Sequence, residues 1–160
     1  MSDYFPAEIH VGGPIPGAIL PELIRAVCAE GASMDTYDGP QATGDRLQTA
    51  IREGAVLDLY DVQAPYGQFD HLEGFLVERG IHFDRHSDAY CEYNAENVYY
   101  RGCGEPLVML ADQNGNSLVR CQDVLEILEG RHADDRARLK AVRDLVAPPQ
   151  VTPLEPIRFV

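Results

Sequence analysis

The chain has 160 residues, with 26 acidic against 13 basic side chains and a formal net charge of −13. That length fits one domain, and a 45% hydrophobic fraction is ordinary for a globular fold, which excludes wholesale disorder. A field of this sign repels phosphate, which disfavours direct contact with nucleic acid or with an anionic membrane.

The first predicted element is a strand over Ala7–Val11, ended by Gly12-Gly13-Pro14. Leu20, Leu23, Ile24, Val27 and Cys28 then recur at helical spacing, with Pro21 suited to the first turn and Gly31 to the stop. Residues 33–44 read as a loop. A short helix over Asp45–Glu53 follows, and then a strand over Ala55–Tyr60 whose apolar character suggests a central position. Phe69, Leu72, Phe75 and Leu76 mark a third helix, closed by Gly80.

Strands are predicted from Ile81 to about Ser87 and from Glu96 to Arg101. Asn114-Gly115 between Leu107–Leu110 and Leu118–Arg120 is the signature of a hairpin. Two helices follow. One is built on Val124, Leu125, Ile127 and Leu128; the other runs near Asp134–Val146 with Leu139, Val142 and Val146 expected inward. These elements imply an α+β fold: a mixed sheet of about five or six strands, helices on one face, a split β-α-β unit in the first half and an antiparallel hairpin in the second. Residues 1–146 form the expected single domain. Residues 147–160 are read as a proline-rich extended tail packing on it.

Charge is unevenly spread. Residues 1–120 carry 19 acids and 7 bases, whereas residues 121–160 carry 7 and 6. The four cysteines, Cys28, Cys91, Cys103 and Cys121, include no C-x-x-C pair and no paired zinc-ligand spacing. Cys28 reads as a core residue. With an acidic start and no long apolar run, a reduced, cytoplasmic protein is expected.

Alternation along Ile81–Asp88 puts His82, Asp84, His86 and Asp88 on one strand face, with Phe83 toward the core. Imidazoles and carboxylates in that pattern are competent metal ligands or acid–base groups, which makes a metal-dependent enzyme the alternative reading. A solvated sheet face explains the same pattern. Gly12–Gly17 lacks both the dinucleotide and the Walker spacing, and its two prolines remove donors a phosphate would need. Asp70-His71 is read as a helix start. No catalytic residue, resident metal or cofactor is predicted.

The acids Asp35, Asp38, Asp58, Asp61, Asp84, Asp88, Glu92 and Glu96 interleave with tyrosines, including Tyr37, Tyr60, Tyr66, Tyr90, Tyr93, Tyr99 and Tyr100. Tyrosines supply contact area at low entropic cost, and spaced carboxylates can imitate a phosphate row. The eight acids and Tyr99 are therefore the candidate partner-binding residues. Two stretches, Ile9–Gly13 with the helix after it and Phe83–Asp88 with the tyrosines that follow, resemble uncharacterised bacterial proteins carried on plasmids and other mobile elements. The resemblance implies a small accessory protein, a class that includes inhibitors.

The leading expectation is a non-enzymatic module that binds a basic protein partner. Its concrete form is an inhibitor of a nucleic-acid-binding complex, of the DNA-mimic or anti-CRISPR type. A third possibility is an oligomerising module that docks its tail and Phe159 on a neighbour.

Overall fold

The computed structural model describes residues 3–112, 114–147 and 150–160. Among these, the chain forms five α-helices, a six-stranded antiparallel sheet and a two-stranded parallel one. The elements run β1 (Tyr4–Gly12), β2 (Pro14–Ile15), α1 (Leu20–Glu30), β3 (Ser33–Met34), α2 (Gly44–Arg52), β4 (Leu57–Pro65), α3 (Asp70–Glu78), β5 (His82–Ser87), β6 (Ala95–Tyr100), β7 (Leu107–Ala111), α4 (Cys121–Glu129), α5 (Asp135–Val146) and β8 (Arg158–Phe159). The large sheet has the order β3-β4-β1-β5-β6-β7.

Strand directions follow from the helix count between strands. The chain passes through α1 and then α2 before β4, so it re-enters the sheet from the far end and β4 runs antiparallel to β1. Only α3 separates β4 from β5, so those two strands point the same way, one on each side of β1. This is the split β-α-β unit.

One face of the sheet is apolar and covered. Phe5, Ala7, Ile9 and Val11 alternate inward along β1, and Leu57, Leu59 and Phe83 continue that layer on β4 and β5. Against it lie Leu23 and Val27 of α1, Leu47 and Ile51 of α2, and Leu72 and Leu76 of α3, all fully or almost fully buried. The helix ends are sequence-encoded: Pro21 sits in the first turn of α1, and Gly31 caps its end at φ 71°.

A charged cluster crosses this layer. Arg85 is only 3% exposed, and its guanidinium pairs with Glu73 of α3 (Nε to Oε1, 2.9 Å) and with Glu96 of β6. It also donates to the Gly67 carbonyl at 3.0 Å and to Ser87 Oγ at 3.2 Å.

Residues 150–160 return to the sheet. Arg158 and Phe159 pair with Pro14 and Ile15, Ile157 is buried, and Gly13 N–H donates to the Glu155 carbonyl at 2.8 Å. Gly13 has φ 77°, and a Cβ there would lie 2.6 Å from His82 Nδ1, so only glycine fits this contact.

Two expectations for the second half are corrected. Leu118–Arg120 forms no strand. A single bridge joins Ala111 to Ser117, because Asp112 Oδ1 accepts the Asn114 and Asn116 N–H groups and the chain then leaves for α4. Gln113, in that predicted hairpin turn, lies outside the described residues, as do Pro148 and Pro149 of the tail. Leu139 and Val146 also point outward rather than inward: α5 packs through Ala141, Val142 and Leu145 and leaves Leu139 67% exposed.

Candidate partner-binding face

The second face of the sheet carries no helix. Period-2 alternation sends to it the residues that β1, β4, β5 and β6 do not bury. Strand register then aligns them in two transverse rows. One reads Asp58, His10, Asp84, Tyr99 across β4, β1, β5 and β6; the next reads Tyr60, Glu8, His86, Asn97. Side chains directly opposite one another in such rows are in contact range, with Cβ atoms about 5 Å apart. Three of the five histidines, His10, His82 and His86, lie on this face.

The polar groups are tied to one another. His10 Nδ1 lies 2.6 Å from Asp58 Oδ1, and its Nε2 lies 3.6 Å from Glu8 Oε1. Asn97 Nδ2 donates to the Gly115 carbonyl at 2.8 Å, which turns its Oδ1 toward His86 Nδ1 at 2.7 Å. His86 therefore donates from Nδ1, and its Nε2 faces Asp88 at 3.6 Å. Arg101 reaches from the end of β6 to Asp84 Oδ1 at 2.6 Å and also donates to the Thr152 carbonyl of the tail.

Burial, with the nearby Arg101 guanidinium, pushes the His82 pKa down. Burial and the Glu8 and Asp88 carboxylates push the Tyr37 hydroxyl well up, and burial with Asp58 and Glu8 raises Tyr60. Tyr99 is raised by burial and Asp84. These phenols keep their protons and remain donors.

Tyr37 leans over the face from the loop after β3, its ring 5.0 Å from Tyr60. Between Tyr37, Glu8, His86, Asp88, Asn97 and Tyr99 the surface sinks into a cleft of about 440 Å³. At the end where β1 begins, Phe5 stacks on Tyr90 at 5.6 Å and touches Tyr93, which meets Tyr66. Tyr66 and Cys91 hold left-handed backbone there, at φ 54° and 49°.

The predicted binding residues do not all share one face. Asp58, Asp84, Asp88 and Tyr99 meet on the open face. Asp35 and Asp38 flank Tyr37 at its rim, and Glu92 is exposed in the loop beside the tyrosine cluster. Asp61 and Glu96 fall on the helix-covered side. Asp61 stands opposite Ala7, and Glu96 is held by Arg85. Parity along the strands decides both, since each follows a residue of the open face by one position or precedes it by one. Glu8 and His10 are members of the face that the charge reading passed over, although they alternate with Ala7, Ile9 and Val11 and so carried the signal.

His82, Asp84 and His86 share the face as the alternation predicts. They do not converge on one point. Successive same-face residues on a strand are about 6.6 Å apart, and Asp84 and His86 already have the partners named above. Among the described residues, no three His, Cys, Asp or Glu side chains form a set able to hold a metal ion. Likewise, no helix among them is long and apolar enough to cross a membrane. Searches of family models, curated proteins and solved structures give no match to this chain.

Proposed function

We propose that the protein is a non-enzymatic, cytoplasmic binding module whose helix-free sheet face engages a basic surface on another protein. The observation that carries this reading is the pair of transverse rows. Glu8, Asp58, Asp84 and Tyr99 are brought from four strands onto one face that α1, α2 and α3 leave free, with Asp88 and Tyr37 beside them. The side chains are pre-oriented by hydrogen bonds, which lowers the ordering cost of docking. Tyr37 at the rim and Tyr99 on the face supply anchor area, the role aromatic residues commonly take at interface hot spots. The carboxylates outnumber the bases on the face, so its partner is basic. An inhibitor that occupies the basic groove of a nucleic-acid-binding complex, of the DNA-mimic or anti-CRISPR type, is the specific form.

Salt dependence tests it. Tagged protein is used to capture partners from host lysate at low and moderate salt, and the retained proteins are identified by mass spectrometry. One basic nucleic-acid-handling protein, retained at low salt and released as salt rises, is expected because screening shortens the reach of charge attraction. Retention indifferent to salt contradicts the charge-driven reading.

A further inference from the structure

The helical hairpin of α4 and α5 is chemically unlike the rest of the molecule. No described residue of either helix is buried, although both are amphipathic in sequence. Leu125 and Leu128 stand exposed on α4, and Leu139 and Val146 on α5. The inner residues Val124, Ile127, Val142 and Leu145 are half-buried, and Leu145 borders the shallow grooves beside β7. Each helix therefore spends one apolar stripe inside the subunit and shows a second one to solvent.

Charge divides the hairpin in two. α4 carries Asp123, Glu126 and Glu129 and no base; α5 carries Arg136, Arg138, Lys140 and Arg143 against Asp135 and Asp144. Arg136, Leu139, Arg143 and Val146 fall at i, i+3, i+7 and i+10, so bases and apolar residues alternate along one stripe of α5. Glu126 and Glu129 flank Leu125 and Leu128 on α4 in the same manner. Among the described residues, Glu126, Glu129, Arg136, Lys140 and Arg143 form no ion pair. Arg136, Leu139, Lys140 and Arg143 form one continuous exposed side of α5.

We infer that this hairpin is the interface of a homodimer, with α4 of one copy lying against α5 of the other about a two-fold axis. The surface fits itself. In a two-fold contact each patch meets its own copy with the order reversed. An acidic-apolar stripe on α4 and a basic-apolar stripe on α5 then satisfy each other twice. Leu125 and Leu128 lie against Leu139 and Val146 of α5, while Glu126 meets Arg143 and Glu129 meets Arg136. The contact makes a four-helix bundle. It also puts the copies together where opposite charges balance, away from the strongly acidic sheet, where two copies would repel.

Light scattering coupled to size exclusion, run on the full chain across the micromolar range, tests this directly. The mass of two chains is expected, and the mass of one chain at every concentration overturns the proposal. Leu139→Glu should shift the equilibrium to monomer. The charge reversals Glu126→Arg and Arg143→Glu should each weaken the dimer, and combining them should restore it. These positions are exposed, and circular dichroism of each variant checks its fold. A dimer that survives Leu139→Glu and both reversals lies on another surface and overturns the proposal as fully as a monomer does.

Discussion

Arg85 shows how one residue organises several elements. It sits on the apolar side of β5, where a charge taken from water must be matched. Glu73 from α3, Glu96 from β6 and the Gly67 carbonyl from the β4–α3 turn match it together. Removing the cation leaves two carboxylates without their partner. Arg85→Ala should cost about 3–5 kcal/mol, the range for breaking a buried pair by deleting one member. Urea unfolding checks this, and a loss under about 1 kcal/mol would show the cluster to be as weak as a surface pair. Glu30 acts in the opposite sense. Its carboxylate accepts the Leu72 N–H in the first turn of α3 at 2.9 Å, yet burial pushes its pKa up from the ordinary 4.5. A raised acid pKa contributes stability that is fully present below 4.5 and is lost as pH rises through the folded value. Glu30→Gln keeps the acceptor and abolishes the titration. Stability of this variant relative to the parent should therefore rise from pH 4.5 toward neutrality, measured by thermal melts across that window; a flat difference contradicts the assignment.

At the scale of elements, alternation was the most legible signal. β1 and β5 bury every second residue, and the open-face positions of His82, Asp84 and His86 follow from counting by two. The same rule, applied to charge without register, misplaces Asp61 and Glu96, because composition does not reveal which carboxylates share a side. Pairing between strands far apart in sequence was also beyond reach. His10 meets Asp58 across 48 residues, and no local pattern announces it. The outward stripe of α5 escaped for a different reason: helical period identifies an apolar face, but not whether the subunit covers it. The tail adds a further element-scale expectation. Ile157 is 5% exposed in the main core, held by pairing of β8 with β2. Ile157→Ala should cost about 2–4 kcal/mol by the usual cost of truncating a buried aliphatic side chain. A loss near zero in urea unfolding would mean that the tail does not stay on the sheet in solution.

For the whole molecule, three surfaces have three distinct characters. One sheet face is apolar and closed by α1, α2 and α3; the other is acidic, polar and open; the α4–α5 hairpin is apolar with balanced charge. The proposed binding face and the proposed dimer interface involve different residues, so one can fail while the other stands. The central claim is that the open face holds the partner. Its most direct measurement compares the parent with a Glu8→Gln, Asp58→Asn, Asp88→Asn variant, in which each carboxylate becomes an amide of the same shape. The captured basic partner is titrated against both at low salt. Three charges of the face at up to about 1 kcal/mol each predict an affinity lower by roughly tenfold or more for the variant, with the fold retained in circular dichroism. Equal affinity of the two proteins would contradict the assignment of binding to this face.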